Sequence, residues 1–551
     1  MYVRVSTKQS QGKTYRYLQL CQAYRNHKGQ PCTRVLVNFG SLEKLDRKKI
    51  DTAINGLIQY ASDPHLSRLS DVEHGRVRDY GDILTLVHLW ARLRLSESIA
   101  RHLRETKVGF DVAQMVKVMV LNRVSDPLSK LGIMRWLPTV YIPELNAEAV
   151  EYHHLLRAMD YLISIKEQIE RDLYNELVTL FCPDVDLVFY DLTSSYFEGE
   201  GPELAEYGYS RDSRPDRKQI VLALVVTREG LPIYHEVLAG NTADVTTLSQ
   251  TVEVLTTRFH IRKTVFVCDR GLISEKNLDK LDEIGFPYII SLRPRNNEEA
   301  QALYQKTLFG FESDSSLNGL LIKETHRDKI RYIQCHNPEV AREKKKGREE
   351  RYTKIRAEIK RLEKRFQRGQ LTEHDLYHRV SQVLEDKRMA TYFDPKIEDG
   401  RLILYIRPEV WEQETYLDGT FFLKTNLSSD ELPAPEVVRS YKQLQEVERA
   451  FRELKDFLKI RPIFHYTDSR VRAHVFICVL AYLLEKLVGL NCQRASLPYS
   501  ARRALSLLSQ LKAIECHLNG QTITMTNRVN EEIHKLFDAL GVPSPQKIIQ
   551  N

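Results

Sequence analysis

Apolar residues follow one spacing in the first third of the chain and another after residue 183. Between residues 80 and 180 they recur at steps of three and four, as at Leu86, Leu89 and Leu93, which predicts helices. Further on, β-branched and aromatic runs predict strands at 186–191, 219–227, 232–238, 263–269 and 287–292, with helices at 246–259 and 274–284. Three strands followed by alternating helix and strand predict a mixed sheet flanked by helices.

This pattern is interrupted between residues 295 and 430. Short runs at 320–325, 331–335, 401–406 and 421–425 predict strands, and a long polar stretch between them predicts a helical hairpin that bends at 367–370. The two arms of the hairpin carry matching apolar stripes: Ile355, Ile359, Leu362 and Phe366, then Leu376, Val380, Val383 and Leu384. Such stripes are typical of an antiparallel coiled coil.

The spacing divides the 551 residues into six predicted segments, which is too much chain for one ordinary core. They are a small β unit at 1–60, a helical region at 61–183, the first part of an α/β core at 184–294, a β-rich insertion carrying the helical hairpin at 295–430, the second part of the core at 431–490, and a C-terminal helical region at 491–551.

Composition adds a soluble, globular balance with unevenly placed charge. Hydrophobic residues make up 42% and charged residues 28%, and the net charge is +7. The hairpin residues 339–368 hold 13 Lys or Arg against 6 Asp or Glu, a surplus equal to the whole net charge. A polyanionic partner is therefore expected at this arm, while a solvated basic surface is the alternative.

Cysteine use and hydropathy indicate a reduced, cytoplasmic protein. The eight cysteines are far apart and include no Cys-x-x-Cys pair, which argues against a zinc site or a disulfide framework. Residues 1–6 lack the apolar core of a signal peptide. The longest apolar run, 475–484, is about half of what a bilayer crossing requires, so we expect a buried helix and no membrane association.

Acidic residues end two of the predicted strands. Asp191 follows the run 187–190, and Asp269 follows the run 264–268. Carboxylates at the ends of sheet strands lie where α/β proteins bind ligands, although many such residues are only turn or cap residues. Two such strands are stronger evidence for a ligand site than one strand alone.

A third acid lies on a charged amphipathic helix predicted at 436–458. Val447, Phe451, Leu454 and Leu458 share one face, which predicts burial. Tyr441, Glu448, Arg452 and Lys455 occupy the neighbouring face. An acid between cations and a phenol suits a metal ligand beside phosphate contacts, and a solvated face with i,i+4 ion pairs is the simpler interpretation.

If Asp191, Asp269 and Glu448 meet in space, their chemistry favours a hard metal ion. Three carboxylates without a thiol cluster favour Mg²⁺ or Mn²⁺ over Zn²⁺. Two such ions would activate an attacking hydroxyl and stabilise the leaving oxygen of a phosphodiester, with the three acids as ionised ligands.

These motifs together resemble the DDE transposases of bacterial insertion sequences, in the group whose third motif reads Tyr-x2-Arg-x3-Glu-x6-Lys. Tyr441, Glu448 and Lys455 match that motif with its spacing, Asp191 and Thr193 match the first motif, and residues 269–271 (Asp-Arg-Gly) match the second. Residues 239–244 resemble the loop after the third strand of such enzymes. The resemblance covers about 185–490 closely and the first 180 residues more loosely.

The resemblance implies an RNase H-like core that carries an insertion before the Glu448 helix. It implies double-stranded DNA as partner, both as terminal inverted repeats and as target, with cleavage and strand transfer in a synaptic homodimer. It also implies that Tyr441, Arg270 and Lys455 contact DNA, that 61–183 is a DNA-binding region, and that the enzyme works at the bacterial nucleoid. Leu444 departs from the motif by standing where Arg is usual, and Arg452, one turn after Glu448, is a candidate replacement.

Two other functions fit the same residues. A metal-dependent nuclease or resolvase on this fold would cut without joining, and a transposase-derived regulator would bind DNA without cutting. Three acids facing a polyanion weaken binding unless a cation neutralises them, so the complete trio favours catalysis.

Overall fold

The computed structural model describes residues 1–10, 12–58, 60, 73–181, 187–261, 265–268, 275–283, 285–292, 298–303, 310–314, 317–327, 330–398, 401–518 and 521–549. The chain forms two compact units. One comprises Met1–Gly81, Ser509–His534 and Pro543–Asn551, and the other comprises Asp82–Leu508 and Lys535–Val542.

The strands are, in chain order, β1 (Tyr2–Ser10), β2 (Lys13–Arg25), β3 (Pro31–Ser41), β4 (Glu73–Asp79), β5 (Leu187–Tyr196), β6 (Gln219–Thr227), β7 (Pro232–Ala239), β8 (Val265–Cys268), β9 (Tyr288–Leu292), β10 (Glu312–Ser313), β11 (Leu321–Arg327), β12 (Ile330–His336), β13 (Phe393–Glu398), β14 (Arg401–Ile406), β15 (Thr420–Thr425), β16 (Lys512–Leu518), β17 (Gln521–Thr526) and β18 (Ile548–Ile549).

The α-helices are α1 (Arg47–Ile58), α2 (Gly81–Arg92), α3 (Leu95–His102), α4 (Val112–Ser125), α5 (Lys130–Trp136), α6 (Tyr152–Ser164), α7 (Lys166–Leu180), α8 (Asp244–Thr257), α9 (Glu275–Glu283), α10 (Glu298–Leu303), α11 (Pro338–Gln367), α12 (Glu373–Asp386), α13 (Pro408–Leu417), α14 (Ala434–Lys442), α15 (Gln445–Arg452), α16 (Asp468–Arg494), α17 (Ala501–Leu508) and α18 (Glu531–Leu540).

The smaller unit contains two antiparallel sheets, ordered β1-β2-β3 and β18-β17-β16-β4. The predicted strands at the N-terminus are present as β2 and β3, joined by β1. The prediction that 491–551 is helical is wrong for β16 and β17. Threonines alternate with Ile523 and Met525 through β17, which suits a strand, and β16 pairs with β4, more than 400 residues earlier, which no local pattern reveals.

The larger unit is built on a nine-stranded mixed sheet with the order β10-β11-β12-β15-β9-β8-β5-β6-β7. β5 is the third strand from one edge, antiparallel to β6 and parallel to β8, and β8 is parallel to β9. The predicted mixed sheet flanked by helices is therefore confirmed. β5 and β6 are buried along almost their whole length, as expected of strands covered on both faces.

Each face of the central strands packs against helices. Val188, Tyr190 and Leu192 of β5 point into a core shared with Leu248 of α8 and Leu281 of α9. The alternate residues point to the opposite face, where α15 lies against β5 and β6 and α16 lies against β7. Of the helices in the described ranges, α16 is long and apolar enough to cross a membrane, but 78% of that apolar window is buried in the protein.

The interruption at 295–430 is divided between the sheet and a separate arm. β10, β11, β12 and β15 continue the central sheet beyond β9, so these strands share its hydrogen-bonded ladder. The predicted helical hairpin corresponds to α11 and α12, whose facing stripes form a core with β13 and β14. Gly369, with φ +70°, occupies the bend between the two helices.

A loop separates α4 from α5 before the central sheet. α4 runs to Ser125, and Asp126 is its C-cap. The next helix begins at Lys130, and the Ser129 hydroxyl accepts a hydrogen bond from the Gly132 amide as its N-cap. Serine serves this purpose as well as aspartate, and the linker 126–129 is thereby left as a loop.

Candidate active site

Asp191 lies in the middle of β5, not at its end as predicted. The strand that ends nearby is β8, whose last pair with β5 in the parallel ladder joins Phe189 to Val267. Asp191 is two residues beyond that pair, half-buried, and its Oδ1 accepts a hydrogen bond from the Leu192 amide at 2.8 Å. The carboxylate therefore sits beside the carboxyl end of β8, on the face that α15 covers.

Asp269 and Arg270, the second predicted acid and its neighbour, lie outside the described residues. Cys268, the last residue of β8, is fully buried and belongs to the core on the opposite face of the sheet.

The predicted continuous helix 436–458 is broken into three parts. α14 ends at Lys442, a turn at Gln443 and Leu444 follows, and α15 begins at Gln445. After Arg452 the backbone widens into a π-helical turn, Glu453–Phe457, in which the Leu458 amide bonds to the Glu453 carbonyl at 2.9 Å. π-turns inside helices occur frequently at functional sites.

The faces predicted for this segment are otherwise observed. Val447, Phe451, Leu454 and Leu458 are all buried, with at most 6% of each residue exposed. Glu448 and Arg452 are exposed. Leu444, at the position where the motif has Arg, is buried, so the apolar side chain packs inward and makes no phosphate contact there.

Of the three glutamates in α15 and the π-turn, two are paired with cations. Glu446 accepts from Arg449 and Lys486 at 2.8 Å each, and Glu453 pairs with Arg502 at 2.5 Å. Glu448 has no ion-pair partner within the described part of the chain. Among the three glutamates of α15 and the π-turn, Glu448 is thus the one whose carboxylate is exposed and not paired with a cation of the described residues.

Lys455 links the helical segment to β5. Its Nζ donates to Thr193 Oγ1 at 2.7 Å and to Asp212 Oδ1 at 2.8 Å. Thr193 is two residues after Asp191, so the two side chains share one face of β5. Burial lowers the pKa of Lys455, and the hydrogen bond to Asp212 opposes that shift. The segment with Glu448 and the strand with Asp191 are thus in direct contact.

Asp212 was not identified from the sequence. It lies in the loop between β5 and β6, and its Oδ2 accepts from Arg461 at 2.8 Å, so one carboxylate joins two cations from the segment after α15. This loop has no periodic pattern that would mark one of its acids. Its path is held by the Arg211 amide, which donates to Ser194 Oγ at 2.9 Å.

The loop predicted at 239–244 closes against the same region. Gln219 Nε2 donates to the carbonyls of Tyr209 and Gly240 at 3.0 and 3.1 Å. A Cβ at Gly208 would overlap the Gly240 carbonyl oxygen, so glycine is required for the close approach of these two loops.

Two other predicted residues have neighbours that the structure defines. Tyr441 on α14 is half-buried, with its ring 6.0 Å from the ring of Phe421 on β15. Trp411 packs among Tyr352, Tyr392 and Phe393 in the core of the arm, with ring separations of 5.6 to 6.2 Å.

Two protein-family models match the chain. The family model described as "Transposase DDE domain" matches residues 186–484, and the model "IS1634 family transposase, N-terminal domain" matches residues 3–68. No curated protein matches the chain.

Two solved structures show a weak likeness. One is the cryo-EM structure of the piggyBac transposase synaptic complex with hairpin DNA, at 9% identity over 79% of this chain and 82% of that one, with a TM-score of 0.37. The other is the Mos1 transposase paired-end complex with the left transposon end, at 16% identity over 44% and 67%, with a TM-score of 0.15. Likenesses at these TM-scores carry no weight for the fold or the site.

The family match spans the sheet, Asp191, Glu448 and Lys455 and covers more than half of the chain. The chain belongs to the DDE transposase family, the DNA-cleaving and strand-transferring enzymes of DNA transposition, which depend on divalent metal ions.

Proposed function

We propose that Asp191, Asp269 and Glu448 form the active site of this transposase. The observation that carries the proposal is the Lys455–Thr193 hydrogen bond of 2.7 Å, which fixes the Glu448 segment on the face of β5 that bears Asp191. Asp269 enters because it directly follows Cys268, and β8 runs parallel to β5 beside Asp191.

The core fold that we propose is RNase H-like. Support comes from strands β7, β6 and β5, which are antiparallel in that order, and from β8 and β9, which continue in parallel from β5. In this interpretation the strands and arm between β9 and α14 are the insertion.

The donor atoms suit two Mg²⁺ or Mn²⁺ ions. Asp191 and Glu448 offer only carboxylate oxygens, which these hard ions prefer as ligands. Glu448 also differs from its neighbours Glu446 and Glu453, whose carboxylates are already paired with cations of the protein. When bound, the ions supply charge stabilisation to the phosphodiester and to its attacking and leaving oxygens.

The chain's own residues then bind and orient the DNA. Asp191 and Glu448 stay ionised as ligands, and Lys455, held by Asp212 and Thr193, keeps a positive charge next to them. Arg452 is exposed one turn after Glu448, where it can reach a phosphate in place of the arginine that Leu444 replaces. Tyr441 and Arg270 complete the proposed DNA contacts.

The wider organisation follows from the same function. We assign residues 1–60 and 61–183 to binding of the terminal inverted repeats, and the double-stranded target to the catalytic face. The active species is a homodimer that holds two ends in a synaptic complex at the bacterial nucleoid, in the cytoplasm.

Binding of Mn²⁺ tests the ligand assignment without relying on activity. Titration calorimetry with the full chain should show Mn²⁺ binding that Asp191→Asn weakens by at least about tenfold, with affinity for an inverted-repeat duplex retained. Asp216→Asn, in an exposed ion pair with Arg214, is the matched control and should bind Mn²⁺ like the wild type. Unchanged Mn²⁺ affinity in Asp191→Asn would overturn the assignment.

Arg452→Ala tests the substitute phosphate contact. We expect end cleavage to fall by about tenfold or more, since one charge-assisted phosphate contact contributes on the order of 1.5–3 kcal/mol. Arg449→Ala removes a cation that is paired with Glu446 and should have a smaller effect. Cleavage by Arg452→Ala near the wild-type rate would discard this role.

A further inference from the structure

A cavity of about 290 Å³ opens in the larger unit, between the α4–α5 linker and the chain segment that follows the π-turn. Its lining is strongly basic, and no carboxylate belongs to it among the described residues. The cationic or titratable residues that line it are Arg123, Lys130, Lys459, Arg461, His465 and His474.

Two of these cations are buried, and among the described residues neither has an oppositely charged partner. Arg123 is 5% exposed, donates to the backbone carbonyls of Leu128 and Lys459, and leaves its Nε without a hydrogen-bond acceptor in the described chain. Lys130 is also 5% exposed, and its Nζ has only His474 Nδ1, at 3.5 Å. Buried charges are costly unless paired, so the two cations indicate an anion that is bound in use.

The hydrogen bonds and the pKa of His474 reflect the positive charges around it. His474 Nε2 donates to the Ile460 carbonyl at 3.0 Å, which leaves Nδ1 to accept from Lys130. Burial and the neighbouring charges of Lys130 and Arg123 hold the pKa of His474 well below its usual value. Two nearby acids are already paired: Asp160 with Arg470, and Asp212 with Lys455 and with Arg461 of the lining.

Aromatic side chains stand at the mouth of the cavity. Phe464 and Tyr152 both line it, and they are 60% and 43% exposed. An exposed ring beside a basic groove is the arrangement by which proteins hold single-stranded nucleic acid, with phosphates on the cations and bases stacked on the rings.

We propose that this cavity holds a nucleotide of unpaired DNA strand, with its phosphate on Arg123, Lys130 and Lys459 and its base against Phe464. The proposal rests on the proposed function, because Arg461 at the cavity wall shares Asp212 with Lys455 of the candidate active site. The Asp212 carboxylate thus lies between the candidate active site and the cavity. A strand end that leaves the active site has the cavity as a neighbouring binding site.

Single-strand binding without metal tests the cavity separately from catalysis. Fluorescence anisotropy of a labelled oligothymidylate of about ten nucleotides measures affinity at several salt concentrations. Phe464→Ala and Lys130→Met should each weaken binding by about tenfold. Lys459→Met should lower the log–log salt slope by about 0.7, the amount expected when one phosphate of a single strand is no longer neutralised.

The matched control is Lys280→Met, an exposed lysine on α9, which packs on the face of the sheet opposite to α15. It should bind the oligonucleotide like the wild type. Equal affinity of the cavity variants and the wild type would overturn the proposal. That result would not bear on the assignment of Asp191 and Glu448, which the Mn²⁺ titration tests separately.

A competition arm separates a nucleotide within a strand from a free one. Unlabelled oligothymidylate should displace the probe, and thymidine monophosphate at the same nucleotide concentration should not. Displacement by the monophosphate would show a free-nucleotide site and contradict the proposal.

Discussion

Glu446, Glu448 and Glu453 lie within two helical turns and share one chemistry, so only their surroundings can assign their roles. Glu446 pairs with Lys486 of α16, and Glu453 pairs with Arg502 of α17. Helical spacing already separated Glu448 from the buried stripe. It could not show that Asp212 holds Lys455, because Asp212 lies in an aperiodic loop 243 residues away from its partner.

Lys455→Met should destabilise the fold as well as impair cleavage. The substitution leaves the Asp212 carboxylate, whose side chain is 11% exposed, with Arg461 alone, and loss of a partner for a buried charged group costs about 1–3 kcal/mol. Urea unfolding measures the change. The double variant with Asp212→Asn should lose less than the sum of the two single losses.

Exposed Lys459→Met is the control for the change of residue type and should lie within about 0.5 kcal/mol of the wild type. Additive single losses in the double variant would show that Lys455 and Asp212 do not act as a pair.

Lys130→Met should make the protein more stable, and more so at pH 6 than at pH 9. Burial, with the charge of Arg123, lowers the pKa of Lys130 to about 7, from an ordinary 10.5. Between pH 7 and pH 10.5 the unfolded chain binds one proton more than the folded protein at Lys130, so the free energy of unfolding rises with pH. Below pH 7 the folded protein carries the whole cost of the buried charge, on the order of a few kcal/mol, which methionine removes.

The other groups around Lys130 do not obscure this result. In the folded protein His465 and His474 have lowered pKa values, His465 to about 3, and burial raises the pKa of Cys478. In the unfolded chain these groups titrate alike in the wild type and the variant, so they cancel from the difference in stability between the two. Exposed Lys107→Met should leave stability unchanged at both pH values. A Lys130→Met protein less stable than the wild type at pH 6 would contradict the interpretation.

Among the helices and strands, the spacing of apolar residues predicted those elements whose formation depends on residues nearby in the sequence. The central strands, the coiled-coil arm and the buried helix α16 were predicted because each has a single apolar period over many residues. The break at Leu444 and the π-turn after Arg452 interrupt a segment whose apolar spacing is continuous, and the pairing of β15 with β9 joins segments about 130 residues apart. Periodicity carries no information about such contacts.

The arm should depend on its own apolar stripe. Ile359 on α11 is 5% exposed and packs in the core shared with α12, so Ile359→Ala should cost about 2–5 kcal/mol of local stability. Native-state hydrogen exchange of α11 and α12 amides measures this loss. Exposed Lys360→Ala on the same helix is the control, and equal exchange in the two variants would show that the stripe does not hold the hairpin.

For the whole molecule, charge placement predicts how the enzyme meets duplex DNA. The arm holds the surplus of positive charge, and Lys345 and Lys346 are exposed on it. If the arm lies on a phosphate backbone, converting both to glutamine should lower the log–log salt slope of duplex binding by about 0.9 for each phosphate that is no longer neutralised. A salt slope equal to the wild type would show a merely solvated arm.

The most direct test of the central claim compares two neighbouring glutamates in a strand-transfer reaction with Mg²⁺, inverted-repeat ends and a target plasmid. Glu448→Gln should abolish both end cleavage and joined product while retaining binding to the ends, and Glu446→Gln should retain both activities in substantial part. Full strand transfer by Glu448→Gln together with its loss in Glu446→Gln would contradict the proposed active site.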